Sequence, residues 1–578
     1  MKIKEVLIIF KTHLDIGFTN YAKNIEENYL NVFIPNAIKV GYELKDTETP
    51  FIWTVGSWLI DNALKNDTDG SVCRAVEDGI LNWHGLPFTT HTELMNPAML
   101  QYSIGISQRL DKQFGRKTIA AKMTDVPGHT IGMVPYLSRA GIKFLHIGVN
   151  PATPMPPVPD IFRWRCEDDE ITVMYHGDYG EATEVGDCAI CFAHTHDNCG
   201  PQSADEIAAV YDKIAKKYPG AEIHAATLND VAERICRINN LPVINKEIGD
   251  TWIHGAATDP QKLSRYRKIQ RHIAAHGCSG TDITDNVLLV PEHTWGMDVK
   301  TFFNDTEHFS HIQLDEVREE RTKIEKSWEE QRGYVIKAEK ILGIEPDYPV
   351  QKPQLDLYTP CDNHRECGRF EISWQLFDNS DYERYKNNYL RPSHRSCEWA
   401  IWDFTKVGLP DYTGGIFTAN VTETYIRGNK TLYKLEFKKE DAENYGLPYF
   451  YAELEGNKIE IKWFNKKASR LPQAFWLKLK GFNEDWTLNK MGQWIKPEDI
   501  IGSPLISAVD FGIRNNEYEI ITQDAALVAP FGRRLLQYTD ENLRQDLYFN
   551  LYNNIWNTNF PMWYSDDAKF QFEIIKRK

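Results

Sequence analysis

Short apolar runs separated by longer amphipathic stretches organise the chain up to about residue 240. The runs read VLIIF, FIWTV, ILNW, TIAAKM, FLHIGV, ITVMYH, AICFAH and EIHAAT. Segments such as PQSADEIAAVYDKIAKKY lie between them, with Ser203 placed as an N-cap and acidic residues in the first turn. This alternation predicts a mostly parallel sheet covered by helices, open or barrel-like. Farther on, Leu263, Tyr266, Ile269 and Ile273 recur at helical spacing, as do Leu314, Val317, Ile324, Trp328, Val335, Ala338 and Leu342. These predict a small helical bundle with a solvated, charged outer face. Between the two helical patterns, NVLLVPEHTWGMD is a buried run ending at His293 on a glycine-containing turn. A proline-rich connector, GIEPDYPVQKP, closes this half. Beyond it the period changes to two: FEISWQLF, YAELEGNKIEIKWF with a turn at Gly456-Asn457, and AFWLKLKGF predict an antiparallel β-sandwich. The expected domains are an α/β domain over residues 1–245, a helical bundle over 246–345 and a β-sandwich over 355–578.

Composition narrows the functions that such an architecture can serve. At 578 residues, 42% of them hydrophobic and 26% charged, the chain is globular and multidomain. A formal charge of -16 without a basic tract argues against nucleic acid and anionic membranes as partners. No apolar run reaches the roughly 18 residues of a membrane span, and VLIIF is too short for a signal-peptide core. A cytoplasmic location is therefore the expectation, and a homo-oligomer is compatible with the sequence. The 16 Trp and 27 Tyr suit sugar stacking as well as a β-domain core, with the core the simpler reading. Cys188, Cys191, His194, His196 and Cys199 have the look of a structural zinc site, but the apolar residues 189–193 favour a strand with small buried thiols.

In a parallel α/β sheet, functional groups gather beyond the carboxyl ends of the strands. His13 and Asp15 follow VLIIF, Asp125 follows the TIAAKM run, and His196 and Asp197 follow AICFAH. One strand-end carboxylate is ordinarily a cap or turn residue. Three of them, one paired with an imidazole, read better as a site. Side chains two apart on a strand share a face, so His13 and Asp15 can reach one divalent cation together, and imidazole with carboxylate suits zinc or a similar metal.

In their order along the chain these segments resemble glycoside hydrolase family 38, the α-mannosidases, as a divergent member. THLDIGF is similar to the family's first metal-binding motif, and TDVPGHTIGMVPYLSRAGI to its nucleophile segment. GDTWIHGAATDPQKLSRYRK resembles the entry to its helical bundle, and PEHTWG the loop that gives the last zinc ligand. NLYNNIWNTNFPMW is similar to part of its closing β-domain. The resemblance implies a seven-stranded-type, barrel-like α/β domain and one zinc ion on His13, Asp15, Asp125 and His293. It also implies a retaining mechanism on carbohydrate, with Asp125 as nucleophile. Asp197 is the better candidate for the proton donor, and Asp178 in YHGDYGE is its rival. A metal in such a shell can bind adjacent sugar hydroxyls, while the nucleophile forms a covalent glycosyl-enzyme.

Phe18 stands where the family usually has Trp and is expected to stack on the sugar. Trp53, Trp83, His84, His91 and Glu93 lie near other strand ends, where pocket lining and core packing are both open readings. Lys11 replaces a common His, Thr294 replaces the Asp that usually follows the metal-binding His, and Pro127 replaces Phe. These departures spare the metal and nucleophile positions and alter the residues that read the sugar. Two other readings stay open: a lyase or esterase acting on carbohydrate through the same metal site, and a sugar-binding protein without catalysis.

Overall fold

The computed structural model describes residues 2–578 apart from 181, 278–280, 362–366, 483–484 and 541–542. Packing divides the chain into two compact units. The first comprises Met1–Thr92, Met99–Lys246 and Glu292–Thr294; the second comprises Glu93–Ala98, Glu247–Pro291 and Trp295–Lys578.

Among the described residues, eleven strands build the first unit: β1 (Glu5–His13), β2 (Trp53–Gly56), β3 (Leu81–His84), β4 (Ala120–Asp125), β5 (Phe144–Val149), β6 (Ile161–Cys166), β7 (Asp169–His176), β8 (Thr183–Val185), β9 (Cys188–Asp197), β10 (Glu222–Ala225) and β11 (Val243–Ile244). All eight runs picked out by hydrophobicity form strands. The three additional ones, β6, β8 and β11, are short or studded with Arg, Glu and Pro neighbours, so no apolar run marks them. One sheet has the order β3-β2-β1-β9-β8, with β10 also on β1; the other runs β11-β6-β7-β5-β4. Neighbours are parallel except where β6 meets β7 and β8 meets β9. The sheets approach at β3 and β4, where the Gly85 N–H donates to the Ala120 carbonyl at 2.8 Å.

The period of two explains what fills the space between these sheets. Leu7 and Ile9 of β1, Ala120 of β4, Phe144 of β5, Met174 of β7 and Ile190 and Phe192 of β9 share one apolar core. Helix α2 (Leu228–Ile235) adds Leu228, Val231, Ala232 and Ile235 to it. Two residues farther along each strand the inner face turns polar: Lys11 and His13, Lys122 and Thr124, His146, His176, and His194. On the outer face Phe10 meets Phe51 and Tyr211 of helix α1 (Ala204–Lys217), with centroids 5.2 and 6.1 Å away. Burial on both faces is why β1 reads as an unbroken apolar run. Ser203 caps α1 as its sequence predicts, in a full capping box with Glu206.

In the second unit, helices α3 (Pro260–His276) and α4 (Arg318–Leu342) pack together through a buried Arg265–Glu339 pair at 2.6 Å and a Lys262–Gln331 hydrogen bond at 3.0 Å. The helical pattern from Leu314 is interrupted at Val317, whose ψ of 39° separates His311–Glu316 from α4. After the connector come antiparallel sheets of ten and six strands among the described residues. Their aromatic side chains meet, with Trp463 and Phe475 centroids 5.5 Å apart and Phe549 and Phe572 5.0 Å apart. The predicted hairpin is present: Glu455 pairs with Lys458, and Gly456 takes the positive φ of 61° that its turn needs. No helix among the described residues is long and apolar enough to cross a membrane.

Gly56 ends β2 where a Cβ would lie 1.9 Å from the Pro87 carbonyl oxygen. Gly56→Ala is expected to lower the unfolding free energy by about 1–3 kcal/mol, because backbone must shift to admit the methyl. Gly105→Ala, inside the helix Pro97–Phe114 with only the Arg109 side chain within 4.0 Å, should raise it by about 0.5–1 kcal/mol. Urea midpoints for the two variants check the pair.

Candidate functional site

Carboxyl ends of three strands supply a cluster of charged side chains within the first unit. β1 ends at His13, and Asp15 follows on a turn in which Gly17 and Phe18 both take positive φ, 127° and 54°. Asn198, itself at φ 51°, clamps that turn. Its Oδ1 accepts from the Asp15 N–H at 3.0 Å, and its Nδ2 donates to the Asp15 carbonyl at 3.1 Å and to Thr19 Oγ1 at 3.0 Å. The Asn198 N–H also donates to the His13 carbonyl at 2.9 Å. The β1–β9 register slips between Lys11 and His13, so His13 pairs with Asp197 across a bulge. Such a bulge re-aims side chains at a strand end. Asp125, the last residue of β4, sits at φ 74°, a strained conformation for a non-glycine residue and one that gathers at functional sites.

The separations are short. Asp15 Oδ1 lies 3.0 Å from His13 Nε2 and 3.1 Å from His293 Nε2, and Asp125 Oδ2 lies 3.6 Å from His293 Nε2. Ligand atoms of His13, Asp125 and His293 fall within 4.8 Å of one another, as do those of His13, Asp15 and Asp197 and those of Asp15, Glu292 and His293. All four residues predicted as metal ligands are buried and come together. Imidazole nitrogens with carboxylate oxygens suit zinc or another borderline divalent ion. None of these groups of described residues includes a cysteine, and Cys188 lies buried with a free thiol.

Two partners of the cluster carry no motif of their own. Glu292 Oε1 lies 2.7 Å from His293 Nδ1, while its Oε2 accepts from the Thr294 N–H at 2.9 Å and its hydroxyl at 2.6 Å. Holding Nδ1 leaves Nε2 to face Asp15 and Asp125, the arrangement of a carboxylate-oriented metal ligand. The adjacent Glu-His in PEHTWG is the only trace of this in the sequence. The Tyr179 hydroxyl donates to Asp125 Oδ1 at 2.6 Å, and its ring stacks on His13 at 5.7 Å. Tyr179 follows Asp178 in a polar loop without a distinguishing signal.

Buried charge sets the protonation of the cluster. Burial disfavours the charged imidazole of His13, yet the Asp15 carboxylate outweighs it and raises the pKa. Burial opposes charge on His293 too, but Glu292 and Asp15 lift its pKa well above the usual value. For Asp15, burial pushes upward while His13 and His293 pull its pKa below the ordinary carboxylate range. Burial, then the charge of Asp15, push Asp197 up to about 6. Burial and the neighbouring Asp125 keep Tyr179 a neutral donor, its pKa well above 10. The carboxylates thus demand positive charge, and protons on two imidazoles occupy the place a divalent cation can take.

The other predicted residues are distributed as follows. Phe18 is partly exposed on the turn after Asp15. Trp53 is fully buried, and Trp83 is buried against Phe114 at 5.9 Å with the Arg116 guanidinium 5.2 Å from its ring; both are core residues. His84 lines a cavity with His13, Lys11 and Lys122. His91 is buried, and burial lowers its pKa well below the usual value. Glu93 belongs to the second unit, where its Oε2 lies 2.5 Å from Lys490 Nζ. Asp178 accepts from the Gly180 N–H at 2.8 Å in its own turn, whereas Asp197 stands with His13 and Asp15.

Comparison with known proteins places this geometry in context. A family model for a domain of unknown function, DUF5054, matches residues 256–353. No curated protein matches the chain. The solved structure of an α-mannosidase from Enterococcus faecalis V583 is similar over 99% of this chain and 87% of its own, with a TM-score of 0.61 at 10% identity. A protein in glycosyl hydrolase family 38 from Enterococcus faecalis is similar over 100% of this chain and 86% of its own, with a TM-score of 0.56 at 9% identity. The fold is therefore shared with α-mannosidase structures, although little of the sequence is.

Metal-depleted protein is expected to take up one divalent cation, and His13→Ala should abolish that uptake. Glu292→Gln should keep the site but weaken it about 10- to 100-fold, because only the orientation of His293 is lost. Competition with a chromogenic chelator measures both.

Proposed function

We propose that the chain is a metal-dependent retaining glycoside hydrolase, α-mannosidase-like, acting on α-glycosidic bonds through a covalent glycosyl-Asp125 intermediate. The observation that carries this reading is the meeting of His13, Asp15, Asp125 and His293, drawn from three distant stretches of sequence, in a fold shared with an α-mannosidase. The α/β, helical and β-rich segments take the expected 1–245, 246–345 and 355–578 as their functional domains. His13, Asp15, Asp125 and His293 would hold the cation, with Glu292 fixing His293. When bound, zinc supplies a Lewis acid that binds sugar hydroxyls and stabilises charge in an oxocarbenium-like transition state.

The side chains divide the remaining work. Tyr179 donates to one oxygen of Asp125, which orients the other for attack on the anomeric carbon. As that bond forms, the bond to the leaving oxygen breaks, and Asp197 delivers a proton to the leaving group. Partial desolvation and the neighbouring Asp15 carboxylate keep the proton on Asp197 up to a pH of about 6. Asp197 then takes a proton from the water that cleaves the glycosyl ester, restoring both carboxyl groups. Asp178, tied into its own turn, is the weaker candidate for this role. Phe18 on the turn after Asp15 offers a partly exposed ring to the sugar.

A panel of α-glycosides assayed with and without chelator tests the class: turnover that chelator abolishes and zinc restores supports it. Release of an unsaturated product, or hydrolysis of sugar esters alone, would replace it with the lyase or esterase reading. A fluorinated glycosyl donor should label Asp125, seen as a modified peptide by mass spectrometry. Asp197→Asn is expected to cost about 10²- to 10⁴-fold in kcat/KM on poor leaving groups and far less on activated aryl glycosides. In the wild type kcat/KM should fall as pH rises through the Asp197 pKa, and the variant should lose that alkaline limb.

A further inference from the structure

Beneath the carboxylate cluster, the polar layer of the first unit borders a partly open cavity of about 40 Å3. Its polar walls include Lys11, Thr54, His84, Lys122 and Thr124, with His13 at the border shared with the candidate metal site. In a chain with 82 acidic residues, no acidic residue lines it. Lys11 is 2% exposed and Lys122 5%. Lys11 Nζ lies 2.7 Å from His194 Nδ1, and Lys122 Nζ donates to Thr124 Oγ1 at 2.7 Å and to the Met123 carbonyl at 3.2 Å. Among the described residues, neither amine has a carboxylate at ion-pairing distance.

Among other buried lysines, some are ion-paired and some, like Lys11 and Lys122, are not. Lys490 is paired with Glu93 and Glu247, and Lys466 sits alone against the Lys467 and Tyr564 carbonyls. Only Lys11 and Lys122, among these, share one cavity and repel each other when charged. The rest of the wall also offers donors. Thr54 is buried, and its hydroxyl has no partner. His84 accepts the Leu86 N–H on Nδ1 at 3.3 Å, which leaves its proton on Nε2. Thr124 Oγ1 is already an acceptor for Lys122. Asp197 and Asp125, outside this wall, attract Lys11, but no carboxylate lines the cavity itself, and donors converging there define the complement of an anion.

The size of the space sets the size of the ligand. At about 10–15 Å3 per water, 40 Å3 holds about three water-sized atoms. A carboxylate group has three heavy atoms and a halide one, whereas phosphate and sulfate have five. We propose that this cavity binds one small monovalent anion, carboxylate-sized or smaller, between the Lys11 and Lys122 amines. The same chemistry has two sources: a free anion held as a constituent of the polar layer, or the carboxylate of an acidic sugar. The second rests on the glycosidase reading; the first does not.

Full-length protein crystals soaked in bromide should show an anomalous peak between the two Nζ atoms. In solution at constant ionic strength, formate or bromide should raise the midpoint of thermal unfolding by about 1–2 °C, and sulfate should not. Lys122→Met should remove the peak and the shift. Absence of the peak in wild-type crystals, together with equal midpoints in formate and sulfate, overturns the proposal even if the variant fails to fold. None of these readouts needs turnover, so they stand apart from the outcome of the glycosidase assays. A second arm separates the sources. If the anion belongs to substrate, an α-uronide should exceed its neutral analogue at least tenfold in kcat/KM, formate should compete with it, and Lys122→Met should erase the ratio. If the anion is free, the bromide peak persists and the two glycosides are turned over alike.

Discussion

Carboxylates taken out of water must be given positive charge, and that requirement governs the upper half of the first unit. Asp15, Asp125 and Glu292 are all buried within reach of the imidazoles of His13 and His293. Removing either imidazole would strand a carboxylate, at a cost well beyond that of a lost surface pair. The strained backbone at Asp125 and the Asn198 clamp at the 15–19 turn follow from the same demand, since each fixes where a charge can point.

The strands reconcile this polar layer with a folded core by dividing their inner faces lengthwise. Leu7 and Ile9 pack in the apolar layer, and Lys11 and His13, the next two inward positions of the same strand, do not. β4 repeats the change from Ala120 to Lys122, and β9 from Phe192 to His194. The apolar ends supply the hydrophobic stabilisation, which lets the other ends carry groups that cost stability.

Much of this is legible in the sequence because it depends on local periodicity. The eight apolar runs, the Ser203 cap, the Gly456 turn and the His-x-Asp at the end of β1 all declare themselves within a few residues. What escaped depends on three-dimensional neighbours. Tyr179 gains its meaning only from Asp125, and Asn198 only from the turn at Asp15. Trp53 and Trp83 lie at strand ends, as a sugar-binding ring would, but the pleat turns them into the core. For Glu93 the sequence leaves pocket and packing open, and only Lys490, nearly 400 residues later, decides for packing. The break at Val317 was hidden because its apolar side chain continues the helical stripe.

The tripeptide Glu292–Thr294 packs with the first unit, whereas residues on both sides of it belong to the second. During synthesis, every strand described in the first unit has been made once Ile244 is added, yet His293 is still about 50 residues away. Until then Asp15 and Asp125 lack one of their imidazoles, and the early sheets carry unbalanced negative charge. Completion of the centre is thereby timed to translation of a much later segment, so a nascent chain truncated before residue 293 would assemble its strands without acquiring the full set of cation-binding groups.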